Sequence, residues 1–238
     1  MLTPPKRKEL SDMETVHHKP AFDRADPSRK KTVLDAGIGE FAEHGYEKAN
    51  INVIAKKAGI SVGLMYKYFD TKEDLFLTCM DCAIDTMTTE ISEVVNSDAK
   101  ILNRAEQLVR TVQRTSREDT TFVKLYSGIT ELKNDQHVAY FAEKIERVSY
   151  EAYHAFLERA QRDGDIRPDC DTRMFAFFFD SILTTLQFSY VSDYYRERFK
   201  IYCGDDVFED DERVVREAVK FLESAFTFSQ AEVKHKNP

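Results

Sequence analysis

The sequence predicts an all-α fold of about nine helices, and three observations lead to this prediction. Apolar residues recur at helical spacing from about residue 27 almost to the C-terminus. Helix-capping residues and glycine stops separate these periodic stretches. Neither a hairpin signal nor an internal repeat interrupts them. With 42% hydrophobic and 32% charged residues, the 238-residue chain has the composition of a globular protein with a substantial core.

The first 26 residues lack helical periodicity and are mostly polar. They contain no apolar stretch typical of a secretory signal, and no apolar run in the chain approaches the ~20 residues of a membrane span. We therefore predict a flexible arm over residues 1–26 and a cytoplasmic protein without a membrane partner. Lys6, Arg7 and Lys8 could follow a phosphate backbone, although a solvated tail is the commoner outcome.

The first predicted helix runs from about residue 27 to residue 44. Asp26 is a favourable N-cap, and Pro27 fits the first helical position. His44 places a cation in the last turn, and Gly45 supplies the left-handed stop. The internal G-x-G-x-x-A pattern follows no strand, so it does not indicate a dinucleotide site.

Two shorter helices follow with a tight connection between them. Asn50 is the expected N-cap of the first, Gly59 its left-handed stop, and Ser61 the N-cap of the second. A helix, a short turn with glycine and a second helix form the helix-turn-helix pattern. The second helix of such a unit enters the DNA major groove through its N-terminal residues.

A helical wheel divides this second helix into two faces. Met65 and Phe69, four residues apart, define the buried face. Gly63 and Lys67 then point directly away from it, with Tyr66 beside them. The outward face carries no acidic residue, which is compatible with an anionic partner.

Each residue of the outward face has a possible DNA contact. Lys67 can reach a phosphate or a guanine edge, and Tyr66 can donate to a phosphate. Leu64 or Val62 could contact a thymine methyl group, and Gly63 removes a side chain where backbone and DNA approach most closely. Taken singly, each is better explained without DNA: Leu64 as incidental surface, Tyr66 as a half-buried packing residue and Lys67 as a solvated charge. Their combination on one face favours DNA binding.

The charge distribution permits the same partner. The net charge is −8, but residues 1–72 hold 13 of the 34 basic and 10 of the 42 acidic side chains. The N-terminal part is therefore net +3 and the remainder net −11. The positive end can approach a polyanion while the acidic body stays away from it.

Residues 29–76 resemble the TetR family of bacterial transcriptional regulators. The motif that carries the resemblance is AGIS-x-G-x-x-Y-x-YF-x-x-KEDL. Beyond residue 76 the resemblance consists of size, helix order and the DGDIRPDCD turn. It implies a homodimer with a three-helix helix-turn-helix DNA-binding domain over residues 27–71. It also implies a helical domain for ligand binding and dimerisation over residues 72–238.

The resemblance also implies which residues contact a double-stranded DNA operator. Lys72 would hold a phosphate at the start of the fourth helix. The sequence departs from the family at Val62 and Leu64, where polar residues are common, so its base readout should be more apolar. The positions that match family DNA contacts are Asn52, Ser61, Gly63, Leu64, Tyr66, Tyr68 and Lys72.

Helices continue through the rest of the chain. Thr71 and Asp74 form a capping-box variant, and Asp171 is the N-cap of a late helix. The stretch MFAFFFDSILTTLQFSYV has apolar groups on more than one face, so one face should pack against a second copy. The resemblance implies a four-helix dimer bundle from the last two helices, whose two-fold symmetry suits a palindromic operator. The predicted helices cover about 72–95, 98–114, 120–132, 136–162, 171–199 and 211–228.

Aromatic residues in this region suggest a pocket for an apolar or aromatic effector. Aromatic stripes at helical spacing are more often core than pocket. The candidate ligand-binding residues are Tyr126, Tyr140, Phe141, Tyr150, Tyr153, Phe178 and Gln187.

No cofactor, metal or catalytic site is predicted. Cys79 and Cys82 form a C-x-x-C, but no further ligand completes a metal set, so two small helical residues are the simpler interpretation. The acidic stretch 204–213 lacks the ligand order of a calcium loop. Asp180, inside the apolar run, could pair with arginine, face a cavity or lie exposed. No H-E-x-x-H, G-x-S-x-G or Walker A sequence supports an enzyme.

The sequence therefore predicts a dimeric one-component transcription factor, a repressor that a small-molecule ligand releases from a palindromic operator. The alternative is a protein-interaction regulator whose helix-turn-helix no longer reads DNA. The apolar residues Val62 and Leu64 and the overall charge of −8 leave that alternative open.

Overall fold

The computed structural model describes residues 16–95, 100–118, 120–129 and 135–227. Within these residues the protein is entirely helical, without a strand, so the predicted all-α fold is confirmed. The predicted phosphate contacts of Lys6, Arg7 and Lys8 lie outside the described residues. The helices are α1 Pro20–Asp23, α2 Pro27–Lys48, α3 Ile51–Lys57, α4 Val62–Tyr68, α5 Lys72–Val95, α6 Ile101–Glu118, α7 Thr121–Ile129, α8 Asp135–Asp163, α9 Thr172–Val191, α10 Asp193–Cys203 and α11 Asp211–Phe226, with a 3-10 turn at Asp205–Phe208.

The chain packs as two compact units. Among the described residues, the N-terminal unit consists of 16–86, 124–129 and 135–144, and the C-terminal unit of 87–95, 100–118, 120–123 and 145–227. The helix-turn-helix region lies in the first unit and the long apolar helix α9 in the second. The functional boundary after residue 71 stays a prediction.

The part of the predicted arm that the structure describes is folded, which corrects the sequence expectation for residues 16–26. Pro20 opens the short helix α1, and Phe22 within it is only 3% exposed. The Phe22 ring packs against the rings of Tyr68 and Phe69 at centroid distances of 5.3 and 4.9 Å. A four-residue helix has no periodicity of its own, so the pattern of the sequence did not reveal it.

The capping residues of the N-terminal unit act as the sequence predicts. The Asp26 carboxylate accepts from the Ser28 amide at 2.9 Å at the start of α2. Gly45, with φ of 71°, interrupts α2 after its long first part. The Thr71 amide donates to Asp74 Oδ2 at 3.0 Å, and the Asp74 amide donates back to Thr71 Oγ1 at 3.0 Å, which forms the predicted capping box of α5.

Cys79 of the C-x-x-C pair is a packing residue beneath α2. It is buried, and burial raises the pKa of its thiol well above the usual range. A Cβ atom on Gly37 would lie 2.6 Å from its sulfur, so the absence of a side chain at Gly37 lets the two helices approach closely. In the described parts of the chain, no three His, Cys, Asp or Glu residues are placed to hold a metal.

The core of the C-terminal unit forms where α6, α8, α9 and α11 pack together. Phe179 of α9 packs edge-on against Tyr153 and Phe156 of α8. The Arg110 guanidinium of α6 forms two hydrogen bonds, of 2.6 and 2.8 Å, to the Glu212 carboxylate of α11. Apolar burial thus sets the packing, and a bidentate ion pair at the surface fixes the register of two helices.

The late apolar helix ends earlier than predicted. The sequence suggested one helix through residue 199, but α9 ends at Val191 and α10 begins at Asp193, with Ser192 in an extended conformation between them. By length and composition alone, α9 could cross a membrane, which the search for apolar runs in the sequence did not anticipate. Such a helix is weak evidence for a span, because core helices of globular proteins pass the same test.

Candidate nucleic-acid interface

The connection between α3 and α4 forms a tight left-handed turn at Gly59. Gly59 has φ of 68°, and the amides of Gly59 and Ile60 donate to the carbonyls of Lys56 and Ala55 at 3.1 and 3.0 Å. This pair of bonds is the Schellman arrangement that ends a helix. The Asn50 and Ser61 side chains cap α3 and α4 by accepting from the amides of Asn52 and Leu64 at 2.9 and 3.2 Å. The helix-turn-helix geometry therefore follows from the residues that predicted it.

The inner face of α4 is buried as the helical wheel predicts. Met65 and Phe69 are each almost completely buried. This packing leaves the opposite face of α4 in solvent. Because the side chains of the buried face lock the rotation of the helix, they also determine which residues point outward.

The outward face of α4 contains three exposed residues at its centre. Gly63 and Lys67 are exposed, and Tyr66 is 49% exposed. Val62 and Leu64 are half-buried, so their apolar side chains lie at the border of this face and not at its centre. A Cβ atom on Gly63 would meet no atom closer than 4.0 Å, so nothing within the chain requires a glycine there.

Two further predicted DNA contacts, Asn52 of α3 and Ser61 at the start of α4, are also exposed. The Ser61 hydroxyl accepts the Leu64 amide, so its own proton can still be donated to a phosphate. Together with Gly63, Tyr66 and Lys67, these residues form the recognition face, a name we keep below. It offers hydroxyl, amide and ammonium donors and no carboxylate.

Two predicted DNA contacts are placed differently. Tyr68 is only 4% exposed, because its ring packs against Phe22 and Phe69. This placement does not support a direct DNA contact by its side chain. The half-buried Lys72 donates from Nζ to the carbonyls of Glu47 at 3.0 Å and Ala49 at 3.4 Å. To bind a DNA phosphate, the Lys72 ammonium would have to break its hydrogen bonds to these two carbonyl groups.

A buried carboxylate ties α2 to α3 behind the recognition face. Glu40 is 2% exposed, and its carboxylate pairs with Lys57 Nζ at 2.8 Å and accepts from the Asn50 amide at 3.3 Å. Burial acts to raise the pKa of Glu40, but the bonds from Lys57 and Asn50 outweigh it and leave the pKa lowered. The ionised form of Glu40 therefore holds the helix-turn-helix to α2.

The predicted ligand-binding residues are divided between the two units. In the N-terminal unit, the Tyr140 hydroxyl donates to Asp81 at 3.0 Å, and Phe141 is buried. In the C-terminal unit, Tyr153 lies in the core, whereas Tyr150 and Phe178 are exposed. The seven residues therefore do not form one pocket within either unit. A shared ligand site built from Tyr126, Tyr140, Phe141, Tyr150, Tyr153, Phe178 and Gln187 stays a prediction.

The C-terminal unit has an open apolar groove that the sequence did not predict. It encloses about 800 Å³ between α9, α10 and α11. Phe178 is the one predicted ligand residue that lines it. Its lining also includes the apolar residues Phe199, Tyr202, Val214 and Phe221 and the charged residues Arg198 and Glu217.

Comparison with known proteins gives a family match in the N-terminal region. The family model described as bacterial regulatory proteins, tetR family, matches residues 33–79. The HTH-type transcriptional repressor KstR2 of Rhodococcus jostii is 28% identical over 165 residues, which cover 68% of this chain and 80% of the relative. The HTH-type transcriptional regulator YhgD of Bacillus subtilis is 22% identical over 162 residues, covering 68% and 84%.

Solved structures share the fold along most of the chain. The transcriptional regulator FadR from Bacillus subtilis in complex with stearoyl-CoA aligns with a TM-score of 0.64 at 16% identity, covering 82% of this chain and 98% of that one. A transcriptional regulator from Saccharomonospora viridis in complex with choline aligns with a TM-score of 0.66 at 17% identity, covering 84% and 97%.

Proposed function

Because the chain belongs to the TetR family of bacterial transcriptional regulators, we propose that it acts as a homodimeric repressor of a palindromic operator. In this proposal a small molecule held in the C-terminal domain releases it from DNA. The observation that carries the proposal is the recognition face of α4, which is exposed, free of carboxylates and mounted on a complete helix-turn-helix.

The chemistry of the recognition face fits the DNA major groove. Lys67 supplies a charge for a phosphate or a guanine edge, and Tyr66 supplies a hydroxyl donor. The half-buried Val62 and Leu64 are suited to a thymine methyl group at the rim of the same face. Gly63, which no internal contact requires, allows the backbone of α4 to approach the DNA closely.

The apolar groove supports the homodimer. Phe221 and Phe178, which line it, are 63% and 52% exposed, and α9 exposes two more apolar residues outside the groove, Phe177 and Met174. A single chain rarely leaves such a cluster in water, so a second copy covering α9 and α11 is the simplest partner. Two-fold symmetry would then place two α4 helices roughly one DNA turn apart, in successive major grooves.

Ligand control is supported by relatives whose structures hold small molecules, stearoyl-CoA in one and choline in another. We propose an apolar or aromatic effector for this chain and a change in α4 spacing transmitted through α5, the helix that begins at Lys72. Because coupling free energy is reciprocal, DNA should weaken effector binding by the same factor as effector weakens DNA binding.

The same proposal makes the protein a cytoplasmic regulator and not an enzyme. The relatives it matches are named as transcriptional regulators. In addition, no motif for a catalytic nucleophile, metal or nucleotide was found in the sequence. No cofactor has a part in the proposed mechanism.

A binding selection tests the proposal directly. Full-length protein should recover palindromic duplexes from a random-sequence DNA pool, and the duplex that binds most tightly then serves as the operator probe. Lys67→Met should weaken binding to this duplex by about tenfold or more and reduce the salt dependence by about one ion per recognition helix.

Lys31→Met is the matched control for Lys67→Met. Lys31 is an exposed lysine on α2 that pairs with Asp35 and lies outside the recognition face, so its removal should leave DNA binding unchanged. If the wild-type protein recovers no duplex, or if Lys67→Met binds every duplex as the wild type does, the DNA proposal is wrong. The protein-interaction alternative would then be the better explanation of the exposed face.

A further inference from the structure

The recognition helix α4 depends on its neighbours for its position. It spans only seven residues, Val62–Tyr68, and a helix of this length is unstable in isolation. Ser61 caps its N-terminus, but the carbonyl groups of its last turn have no partner within the helix. The residues that bind those carbonyls therefore hold the C-terminal end of α4.

A single residue from the N-terminal segment satisfies two of these carbonyls. The main-chain amide of Lys19 donates to the Tyr68 carbonyl at 2.8 Å, and Lys19 Nζ donates to the Tyr66 carbonyl at 3.0 Å. Lys19 Nζ also forms an ion pair with Asp70, immediately after the helix. A cation at this end of a helix is also favoured by the helix dipole.

The segment around Lys19 is anchored on both sides. Phe22 packs against the rings of Tyr68 and Phe69, which form the inner side of the same helix end. Before Lys19, the carbonyl of His17 lies 3.1 Å from the Thr78 hydroxyl of α5, which shares its one proton between this carbonyl and that of Asp74 at 2.8 Å. The main-chain position of Lys19 is thus fixed independently of its side chain.

The Lys19 ammonium is therefore directed at the C-terminal end of α4. Its partners are the Tyr66 carbonyl and the Asp70 carboxylate, both within the five residues Tyr66–Asp70. The Tyr66 carbonyl that it binds belongs to the residue whose side chain stands on the recognition face. A change of this contact would move the recognition face without removing any group from it.

From this geometry we propose that Lys19 is a positioning residue for DNA recognition. Its side chain fixes the tilt of α4 so that Tyr66 and Lys67 meet the groove in the correct register. This proposal rests on the proposed function, that α4 reads DNA. It differs from a phosphate contact, because Lys19 acts through the backbone of α4 and not on the DNA.

The test compares Lys19→Met with the wild type and with Lys67→Met on two probes. One probe is the duplex selected by the wild-type protein from a random-sequence pool, and the other is a scrambled duplex of the same length and composition. Lys19→Met should weaken binding to the selected duplex by about tenfold, because α4 is no longer held in the orientation that fits the groove and binding must restore that orientation. Binding to the scrambled duplex and the salt dependence should stay as in the wild type.

Two further variants separate positioning from general stability. Lys19→Arg retains the charge and donor groups and should restore most of the specific affinity. Asp70→Asn removes the ion pair but leaves the carbonyl bond, so its effect should be smaller than that of Lys19→Met. Because the main-chain bond and Phe22 remain, the thermal midpoint of Lys19→Met should fall by less than about 4 °C.

Several results would overturn the proposal. A uniform loss on both probes with a reduced salt dependence would make Lys19 a direct phosphate contact. Unchanged affinity for the selected duplex would show that the side chain does not position α4, and a loss that tracks a large fall in thermal midpoint would show a role in folding only. Failure of the wild type to select any duplex would instead overturn the proposed function, and the role of Lys19 with it.

Discussion

The two units of the protein each leave one helical face uncovered, and the chemistry of the two faces is opposite. The recognition face of α4 presents Gly63, Tyr66 and Lys67, which are suited to a hydrated polyanion. The groove face of α9 and α11 presents Phe178 and Phe221, which are suited to a dry contact. Exposure alone therefore does not identify a partner, whereas the kind of exposed group does.

One carboxylate in each unit shows the same contrast. Glu40 in the N-terminal unit is held ionised by Lys57 and by an amide. The half-buried Asp180 in the C-terminal unit lies near another carboxylate, that of Glu146, and burial first and Glu146 second raise its pKa to about 6, against hydrogen bonds from the Thr184 and Ser149 hydroxyls. An ammonium thus stabilises the charge of Glu40, whereas the hydroxyl partners of Asp180 do not offset the cost of its burial.

The largest expected effect comes from placing charge in the groove. Phe178→Asp combined with Phe221→Asp should weaken the proposed dimer by at least about 100-fold, because two carboxylates would have to be buried in an apolar contact. Operator affinity should fall with it, since a palindrome needs two recognition helices. Sedimentation equilibrium and binding to the selected duplex measure the two losses.

Val138→Asp is the control for the groove variant. Val138 is an exposed aliphatic residue in the N-terminal unit, so the same change there should leave the oligomeric state unaltered. Circular dichroism of the double variant should be that of the wild type, since both phenylalanines are exposed in the single chain. A wild type that stays monomeric at high concentration would contradict the assignment of the groove to a dimer.

Glu40→Gln tests whether the N-terminal unit depends on its polar bonds. The variant retains an acceptor but loses the charge, and we expect a loss of about 2 kcal/mol in unfolding free energy at pH 7. Because the pKa of Glu40 is lowered in the folded state, its contribution is present above the unfolded pKa and is lost as pH falls through the folded value.

Urea unfolding at pH 7 and at pH 3.5 checks the Glu40 prediction. The difference between wild type and Glu40→Gln should shrink at the lower pH, where the carboxylate becomes protonated. An equal difference at both values would mean that the charge of Glu40 does not stabilise the fold. Lys57→Met leaves the buried carboxylate without its cation, so it should give a loss at least as large at pH 7, because the Asn50 amide alone does not compensate the charge.

The caps of the N-terminal unit were predictable because each depends on a few adjacent residues. Ser61 and Gly59 require only a neighbouring amide or a left-handed backbone, and both act as predicted. The folded segment at Lys19 was not predictable, because its order depends on residues 47 positions away in the sequence. The break at Ser192 was missed because apolar spacing continues through it.

The candidate sites, too, were predictable only where adjacent residues determine them. A helical wheel located the recognition face, because one buried stripe fixes the opposite side of a short helix. It could not separate the core residue Tyr153 from the groove residue Phe178, since both belong to aromatic stripes at helical spacing. Which stripe is covered depends on the packing of whole helices, and that information is not local.

Asp180→Asn tests whether the half-buried Asp180 carboxylate lowers the stability of the C-terminal unit. Its folded pKa of about 6 lies above the unfolded value, so the charged form disfavours folding above pH 6. The variant should therefore be more stable than the wild type by about 1 kcal/mol at pH 7.5, allowing for the partial exposure of the side chain.

The gain from Asp180→Asn should decline as pH falls from 6 to 4, because the folded wild type takes up its proton over this range while the unfolded chain stays largely ionised until about pH 4. Lowering the pH should therefore remove a stability gain in Asp180→Asn and a stability loss in Glu40→Gln. The two variants, measured in the same urea series, test the comparison of the units. A gain that persists at pH 4 would come from the amide side chain itself and not from removal of a charge.

The smallest expected change concerns Gly63 at the centre of the recognition face. In Gly63→Ala the added methyl group would meet no atom of the chain closer than 4.0 Å, so only helix propensity should change the unfolding free energy. That change is a gain of about 0.5 kcal/mol. Operator affinity should nevertheless fall, because the methyl group stands where α4 would approach DNA most closely.

Gly39→Ala is the control, since Gly39 also lies within a helix and a Cβ atom there meets nothing within 4 Å. It should give a similar gain in stability with no change in affinity. Equal operator affinity for both variants would show that α4 does not need its glycine to reach the groove.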